Sequence, residues 1–257
     1  MLKIALSGCC GRMGHVINDI VSGREGMEIV AGFDINTVQY ADFPIFADPF
    51  EFTGECDVII DFSNAASTER LLDYCEQHGT PVVICTTGHS AAQLDRIRAA
   101  SAKIAVFRSG NMSLGINLMS ELLKQSAAVL GDKYDVEIIE KHHNQKLDAP
   151  SGTALALADS MNDALGHVYE YKYDRSSERK KRDPHEIGIS AVRGGSIVGE
   201  HEVIFAGLDE VIEFKHTAYS RSVFGKGAVE AAKFLAGKEA GFYDMQDVIR
   251  ATMEQAD

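Results

Sequence analysis

The sequence predicts an α/β domain built on a parallel sheet, followed by an α+β domain whose sheet is mostly antiparallel. Two observations predict it. Over residues 1–110, short apolar runs alternate with stretches of helical spacing, and from Ile187 onward strand signals follow one another directly. The 257 residues are 45% hydrophobic and 25% charged. That is ordinary globular usage and excludes disordered, collagen-like and coiled-coil chains. No apolar stretch approaches the roughly 20 residues that cross a bilayer. Residues 1–7 carry one lysine and a short apolar run, which reads as a first strand rather than a secretory signal. A net charge of −13 argues against a nucleic-acid surface, because phosphates would be repelled. Five cysteines without a C-x-x-C pair argue against a disulfide framework or a zinc knuckle. The expectation is a soluble protein of a reducing compartment, the cytoplasm, with no membrane or nucleic-acid partner and no bound metal.

The elements follow in order. Lys3–Leu6 is a short apolar strand, followed by glycines and a helix to about Val21. Glu28–Phe33 and Asp57–Phe62 read as strands. Ser63 or Asn64 caps a helix whose Leu71, Leu72 and Cys75 share one face. Pro81–Cys85 is the next strand, Ala91–Ala102 a helix, and Ile104–Phe107 a strand. Apolar runs separated by helices of this length make βαβ units. Near Asn111 the rhythm changes. A long helix from Leu114 to about Leu130 precedes the strand Asp135–Glu140. A polar segment, His142–Ser151, leads into a helix from about Thr153 to Leu165. The strands Ile187–Val192, Glu200–Ala206 and Glu210–His216 are separated by Gly-Gly and Gly-Leu-Asp turns, which predicts an antiparallel sheet. Gly227–Leu235 is helical and is expected to return to the first domain. The boundaries are therefore 1–111 with 223–257, and 112–222.

Gly8-Cys9-Cys10-Gly11-Arg12-Met13-Gly14 follows the first strand and opens the first helix. Glycines there permit a tight turn, close approach to a pyrophosphate and close helix–strand packing, with bare N–H groups facing the phosphates. A ligand-free turn is the other reading of G-x-x-G-x-x-G. Asp34 favours the first, because it ends the second strand 20 residues after Gly14, where an acid accepts hydrogen bonds from a ribose. The first domain is thus expected to be a Rossmann-type dinucleotide-binding domain. An acid at this position repels a 2′-phosphate, and neither Ile35 nor Asn36 offers an arginine, so NADH is expected to be preferred over NADPH. Thr86-Thr87-Gly88 and Ser109-Gly110-Asn111 follow two further strands, at the edge where open sheets bind ligands. From position alone they read equally well as helix caps.

The densest polar chemistry is Glu140–Thr153. His142, His143 and Lys146 supply cationic donors suited to a carboxylate-bearing substrate. Ser151-Gly152-Thr153 begins a helix whose bare N–H groups and hydroxyl also suit a carboxylate. The alternative is a solvated loop with Ser151 as an N-cap. Metal binding is disfavoured, since His142 and His143 point different ways in an extended segment.

Read as E-K-H-H-N-Q-K-L-D-A-P-S-G-T-A, the segment Glu140–Ala154 resembles the motif of the dihydrodipicolinate reductases of lysine biosynthesis. The resemblance spans nearly the whole chain, through Gly8–Gly14, Asp57–Ser63, Thr86–Gly88, Asn111–Asn117, Arg193–His201 and Gly241–Met245. By position it implies that His142 is a proton donor/acceptor and Lys146 a proton donor. It also implies that His143, Gly152 and Thr153 hold substrate carboxylates. Gly8, Cys9, Cys10, Gly11, Arg12, Met13, Asp34, Cys85, Thr86, Thr87, Ser109, Gly110, Asn111 and Met112 match the dinucleotide contacts. The family implies NADH or NADPH as coenzyme, a dicarboxylate substrate, and a homotetramer built by the sheet of the second domain. Two departures stand out: Cys85 replaces a usual glycine, and Cys9-Cys10 replace small residues of the first turn.

The expected chemistry is hydride delivery to an unsaturated ring carbon of a cyclic dicarboxylate, with Lys146 protonating the ring and His142 assisting. Hydride transfer needs donor and acceptor in contact with water excluded, so the domains are expected to close over the substrate. Two other readings remain, a related dehydrogenase of aspartate-derived metabolism and a non-catalytic nicotinamide sensor. The basic run Glu178–Arg182 is either a solvated loop or a steering patch for a dianion.

Overall fold

The computed structural model describes residues 1–254. In chain order the elements are β1 (Leu2–Ser7), α1 (Arg12–Ser22), β2 (Met27–Phe33), β3 (Ile45–Phe46), β4 (Val58–Asp61) and α2 (Thr68–His78). Then come β5 (Val82–Ile84), α3 (Ala91–Ala100), β6 (Ala105–Arg108), α4 (Leu114–Leu130), β7 (Asp135–His142) and α5 (Gly152–Ala164). The chain continues through β8 (Glu170–Lys172), β9 (Glu186–Arg193), β10 (Gly199–Ala206) and β11 (Val211–Ala218). It ends with α6 (Ser222–Leu235), β12 (Gly241–Tyr243) and α7 (Met245–Glu254). Two units result: Met1–Ser113 with the stretch from Ser222 onward, and Leu114–Arg221.

The first unit holds a seven-stranded parallel sheet in the order β12-β6-β5-β4-β1-β2-β3. Its central strands β4 and β5 are wholly buried, as apolar runs covered on both faces must be. On one side Leu71, Leu72 and Tyr74 of α2 and Ile97 of α3 pack against Ile59, Val82, Ile84 and Val106. α6 reaches α1 closely, since a Cβ on Gly225 would lie 2.9 Å from Ile20 and 3.1 Å from Val16. Local chemistry sets the helix ends. Gly79 stops α2 in the left-handed region (φ 67°), and Ser90 with Gln93 forms a reciprocal capping box at the start of α3.

The second unit is a five-stranded sheet, β11-β10-β7-β9-β8, with α4 and α5 on one face. β10 runs antiparallel to both β11 and β7, whereas β9 runs parallel to both β7 and β8. The sheet is mixed, with most of its paired residues in the antiparallel pairs. Consecutive strands β9 and β10 are not neighbours, because β7 lies between them. After exposed Asp135, strand β7 alternates buried and half-buried residues, turning Val136, Ile138, Glu140 and His142 towards one face. Leu123 of α4 and Leu157 and Met161 of α5 cover that face around Ile138, Val203 and Phe205. The other face is laced by charge: Glu200 bonds Lys141 directly opposite it and Lys215 at 3.2 Å.

Arg182 of the basic run is not a solvated charge. It bonds Glu137 (3.1 Å) and Asp135 (2.9 Å) and the backbone carbonyl of Val136, fastening the approach to β9 against β7. Lys180 pairs with Glu178 at 3.1 Å. No helix among the described residues is long and apolar enough to cross a membrane.

Candidate active site

In the first unit the glycine turn is sterically specified. Gly8 has φ +76°, and a Cβ there would sit 2.5 Å from the Phe62 carbonyl oxygen. A Cβ on Gly14 would sit 2.2 Å from the Cys9 carbonyl oxygen. Gly11 is the N-cap of α1 and has no side chain to satisfy the first amides, so the helix start is left bare. Arg12 is exposed and Met13 half-buried beside it.

Asp34, one residue past β2, is held against this turn. Its Oδ2 accepts from the Cys10 amide and its Oδ1 from the Asn36 amide, both at 3.0 Å. Tyr40 Oη donates to the Cys9 carbonyl at 2.7 Å, closing the turn from the other side. Gly8, Gly11 and Asp34 line one cavity of about 320 Å³ together with Ser63, Asn64 and Arg70. Arg70 forks onto Asp48, with Nε 3.2 Å from Oδ1 and Nη2 2.7 Å from Oδ2, and lies 4.0 Å over the Phe50 ring. Ser63, Asn64, Asp48 and Arg70 were not singled out as ligand contacts in the sequence. They come from loops and a helix that only the sheet order brings beside Asp34.

The remaining dinucleotide candidates lie along the same carboxyl edge of the sheet, after β5 and β6. The Cys85 amide donates to the Asp61 carbonyl at 2.9 Å, extending the β4–β5 ladder. Thr86 is 6% exposed, yet its Oγ1 has no hydrogen-bond partner among the described residues. Thr87 and Gly110 are exposed, and Ser109 is half-buried. Asn111 Oδ1 accepts the Ser113 amide at 2.8 Å, and the Met112 backbone carries the close approach of Gly227. These candidates do not line the cavity at Asp34. A left-handed glycine turn, a bare helix start, an acid at the ribose position and an orphan buried hydroxyl on one sheet edge fit an extended dinucleotide.

In the second unit the Glu140–Thr153 segment is organised by a carboxylate. Glu140 has 0% exposure and its two oxygens accept four hydrogen bonds. Arg193 donates from Nη2 to Oε1 (2.6 Å) and from Nη1 to Oε2 (2.7 Å). The Ser151 amide donates to Oε1 at 2.9 Å, and His142 Nδ1 lies 2.6 Å from Oε2. A carboxylate only accepts, so this places the His142 proton on Nδ1. Burial pushes the Glu140 carboxyl up, but Arg193, His142 and the Ser151 amide together hold it below the usual carboxylate range.

Beyond His142 the strand ends, and Lys146 Nζ lies 2.9 Å from Asp148 Oδ1. Arg193 Nη2 also donates to the Asp148 carbonyl at 2.7 Å, tying this loop to Glu140. Ser151 caps α5 by accepting the Ala154 amide (3.1 Å), and its hydroxyl meets His201 Nε2 at 3.0 Å. Gly152 and Thr153 form the first turn, with open space where a Gly152 Cβ would be. His143, just past the end of β7, is half-buried. Burial and the neighbouring His142 push buried His201 down to about 4, so it is neutral near pH 7. Its Nδ1 has no partner among the described residues. Glu140, Arg193 and His201 were not chosen as site residues in the sequence. Glu140 alone carried a local signal, two residues before His142 and so on the same strand face.

A dinucleotide-binding unit joined to a second unit rich in acid–base groups defines a nicotinamide-dependent oxidoreductase. Comparison with known proteins narrows the class. Residues 2–112 match the family model described as dihydrodipicolinate reductase, N-terminus, and residues 115–249 match that of the C-terminus. A Clostridium novyi protein named 4-hydroxy-tetrahydrodipicolinate reductase is 50% identical over 251 residues, covering 98% of this chain and 99% of its own. A Caldanaerobacter subterraneus protein of the same name is 49% identical, covering 97% and 99%. The chain belongs to the dihydrodipicolinate reductase family, whose members use NAD(P)H. In fold it is similar to a dipicolinate-bound dihydrodipicolinate reductase from Paenisporosarcina sp. TG-14. The TM-score is 0.77 at 24% identity, over 95% of this chain and 97% of that one.

Proposed function

We propose that this chain reduces 4-hydroxy-tetrahydrodipicolinate to tetrahydrodipicolinate in diaminopimelate and lysine biosynthesis, in the cytoplasm, with NADH preferred over NADPH. The observation that carries the reading is the polar cluster of the second unit. There a histidine of fixed tautomer, a lysine and the Ser151-capped start of α5 lie on one segment anchored by buried Glu140. When bound at the Gly8–Gly14 turn and Asp34, NADH supplies a hydride to an unsaturated ring carbon. Gly8, Cys9, Cys10, Gly11, Arg12 and Met13 hold the pyrophosphate, Asp34 the ribose, and Cys85, Thr86, Thr87, Ser109, Gly110, Asn111 and Met112 the rest of the coenzyme along the sheet edge.

The 4-hydroxyl leaves as water to give the unsaturated ring, and Lys146, steered by Asp148, delivers the proton that completes its reduction after the hydride arrives. His142, whose Nδ1–H donates a hydrogen bond to Glu140, keeps Nε2 as the nitrogen that relays a proton. His143, the charge of Lys146, and the Gly152 and Thr153 amides with the Thr153 hydroxyl anchor the two carboxylates. The coenzyme preference follows from Asp34, which repels a 2′-phosphate. Arg70 is the cation on that cavity, and its guanidinium is already forked onto Asp48. Equal or better kcat/KM with NADPH overturns the preference. A homotetramer assembled through the charged face of the five-stranded sheet belongs to the same reading and is checked by light scattering.

The deciding experiment follows NADH oxidation with substrate made in the cuvette from pyruvate and aspartate semialdehyde by the preceding synthase. Loss of NADH absorbance that depends on the synthase supports the reductase. Tight NADH binding without turnover overturns it in favour of a sensor.

A further inference from the structure

Cys9 and Cys10 stand side by side in the glycine turn with their sulfurs 3.9 Å apart. With the Asp34 carboxylate they bring three ligand atoms within 4.8 Å of one another. In a tetrahedral site with metal–sulfur bonds of about 2.3 Å, two thiolates lie about 3.8 Å apart. The two sulfurs therefore already span one edge of such a site. Asp34 is oriented in advance by the Cys10 and Asn36 amides, and each carboxylate oxygen keeps a further lone pair. Cys10 is half-buried and its sulfur donates to the exposed Asn36 carbonyl at 3.0 Å, which gives an approach from solvent. Sequence spacing hides this set, because Asp34 arrives from the end of the next strand.

We propose that Cys9, Cys10 and Asp34 form a site for a thiophilic divalent cation of the zinc class, and that this cation and NADH exclude one another. Two sulfurs and one carboxylate select a soft or borderline metal over magnesium or calcium, and water completes the tetrahedron. Coordination replaces the thiol protons, which go to solvent, with no change of oxidation state. Exclusion follows because the metal takes the carboxylate that would hold the ribose, and the two thiolates with that carboxylate outweigh its two positive charges, leaving a net negative, water-bearing site in the pyrophosphate turn. The metal site stands on its own geometry. Only the exclusion rests on the coenzyme reading given above.

The test uses Cd²⁺ as probe on the full chain, kept reduced with a phosphine. Binding is read from cadmium–thiolate charge-transfer absorbance, and NADH affinity from its fluorescence. One Cd²⁺ per chain is expected. At Cd²⁺ about tenfold above its own Kd, the apparent Kd for NADH should rise about tenfold by simple competition. Cys10→Ser should abolish the band and the competition, whereas Cys56→Ser should keep the band. Asp34→Asn leaves both thiols and should weaken Cd²⁺ by about 10–100-fold, which decides the matter should Cys10→Ser not fold. A band that survives Cys10→Ser, or Cd²⁺ affinity unchanged in Asp34→Asn, overturns the site. An NADH Kd unmoved by saturating Cd²⁺ overturns the exclusion. Untreated protein that binds no NADH overturns the exclusion and the coenzyme reading together, while the band still reports the metal site.

Discussion

Replacing Arg193 by methionine should be among the costliest single changes in the second unit, and the cost should be recoverable. Arg193 supplies two of the four hydrogen bonds to Glu140, at 2.6 and 2.7 Å, and its side chain is 19% exposed against 0% for Glu140. Arg193→Met keeps most of the volume but strands a buried carboxylate on His142 and one amide. Stranding one partner of a buried pair costs about 3–5 kcal/mol, and the partial exposure of Arg193 places the expectation near about 3 kcal/mol. Glu140→Gln/Arg193→Met removes both charges, so it should be less destabilised than the sum of the single variants by about 2 kcal/mol. Urea unfolding of the four proteins at pH 7 measures this directly. Costs that add to within about 0.5 kcal/mol refute the idea that the carboxylate is charged and needs Arg193. The same variants test orientation of the imidazole. In Glu140→Gln kcat should fall about 10–100-fold, the usual cost of losing the partner that orients a functional histidine, with KM changing far less. A folded Glu140→Gln enzyme with wild-type kcat removes that role.

Lys146→Ala should lower kcat by about 10²–10⁴-fold, the worth of general acid catalysis, and near-normal turnover refutes the assignment. Gly8→Ala introduces a Cβ 2.5 Å from the Phe62 carbonyl oxygen at φ +76°, so it should cost at least about 2 kcal/mol and weaken NADH, and an unchanged Tm contradicts this. His201 has a folded value of about 4 against 6.5 for the free side chain, so its contribution is whole above pH 6.5 and is lost as pH falls towards 4. The stability gap between wild type and His201→Gln should therefore narrow on acidification, by up to about 3 kcal/mol, and a gap independent of pH refutes the buried neutral state.

Central strands were legible because burial on both faces writes a continuous apolar run, as in Val58–Ile60 and Val82–Ile84. Ile45–Phe46, Glu170–Lys172 and Gly241–Tyr243 were missed because two or three residues carry no periodicity. The order of the second sheet was not legible. β9 and β10 follow one another through a Gly-Gly turn, yet β7, laid down some 50 residues earlier, lies between them. Sequence succession gives nearness along the chain, and only burial of the β7 face against α4 and α5 decides which strand takes the centre. The candidate site divides in the same way. The glycine turn and the run from His142 to Thr153 are local and could be read. Arg70 with Asp48, and Arg193 and His201 around Glu140, are assembled across long separations, where charge pairing leaves no local pattern.

The polar segment is continuous in sequence because it leaves one carboxylate and returns to it. β7 delivers Glu140 and His142 to the same face, the chain turns out through Lys146 and Asp148, and the Ser151 amide comes back to Glu140. Arg193 then clamps the excursion from β9, holding Glu140 with both terminal nitrogens and the Asp148 carbonyl with one of them. One buried negative charge thereby fixes the imidazole, the loop that bears the lysine and the first turn of α5 together. Such a charge is costly unless every lone pair is used, and here four donors use them. Residues from Asn144 to Ala149 are half-buried or exposed and are therefore placed by their tethers, not by packing. Rigidity at the two ends and solvent in the middle leave Lys146 free to move while Glu140, His142 and the first turn of α5 stay in register, which is the condition the proposed proton delivery requires.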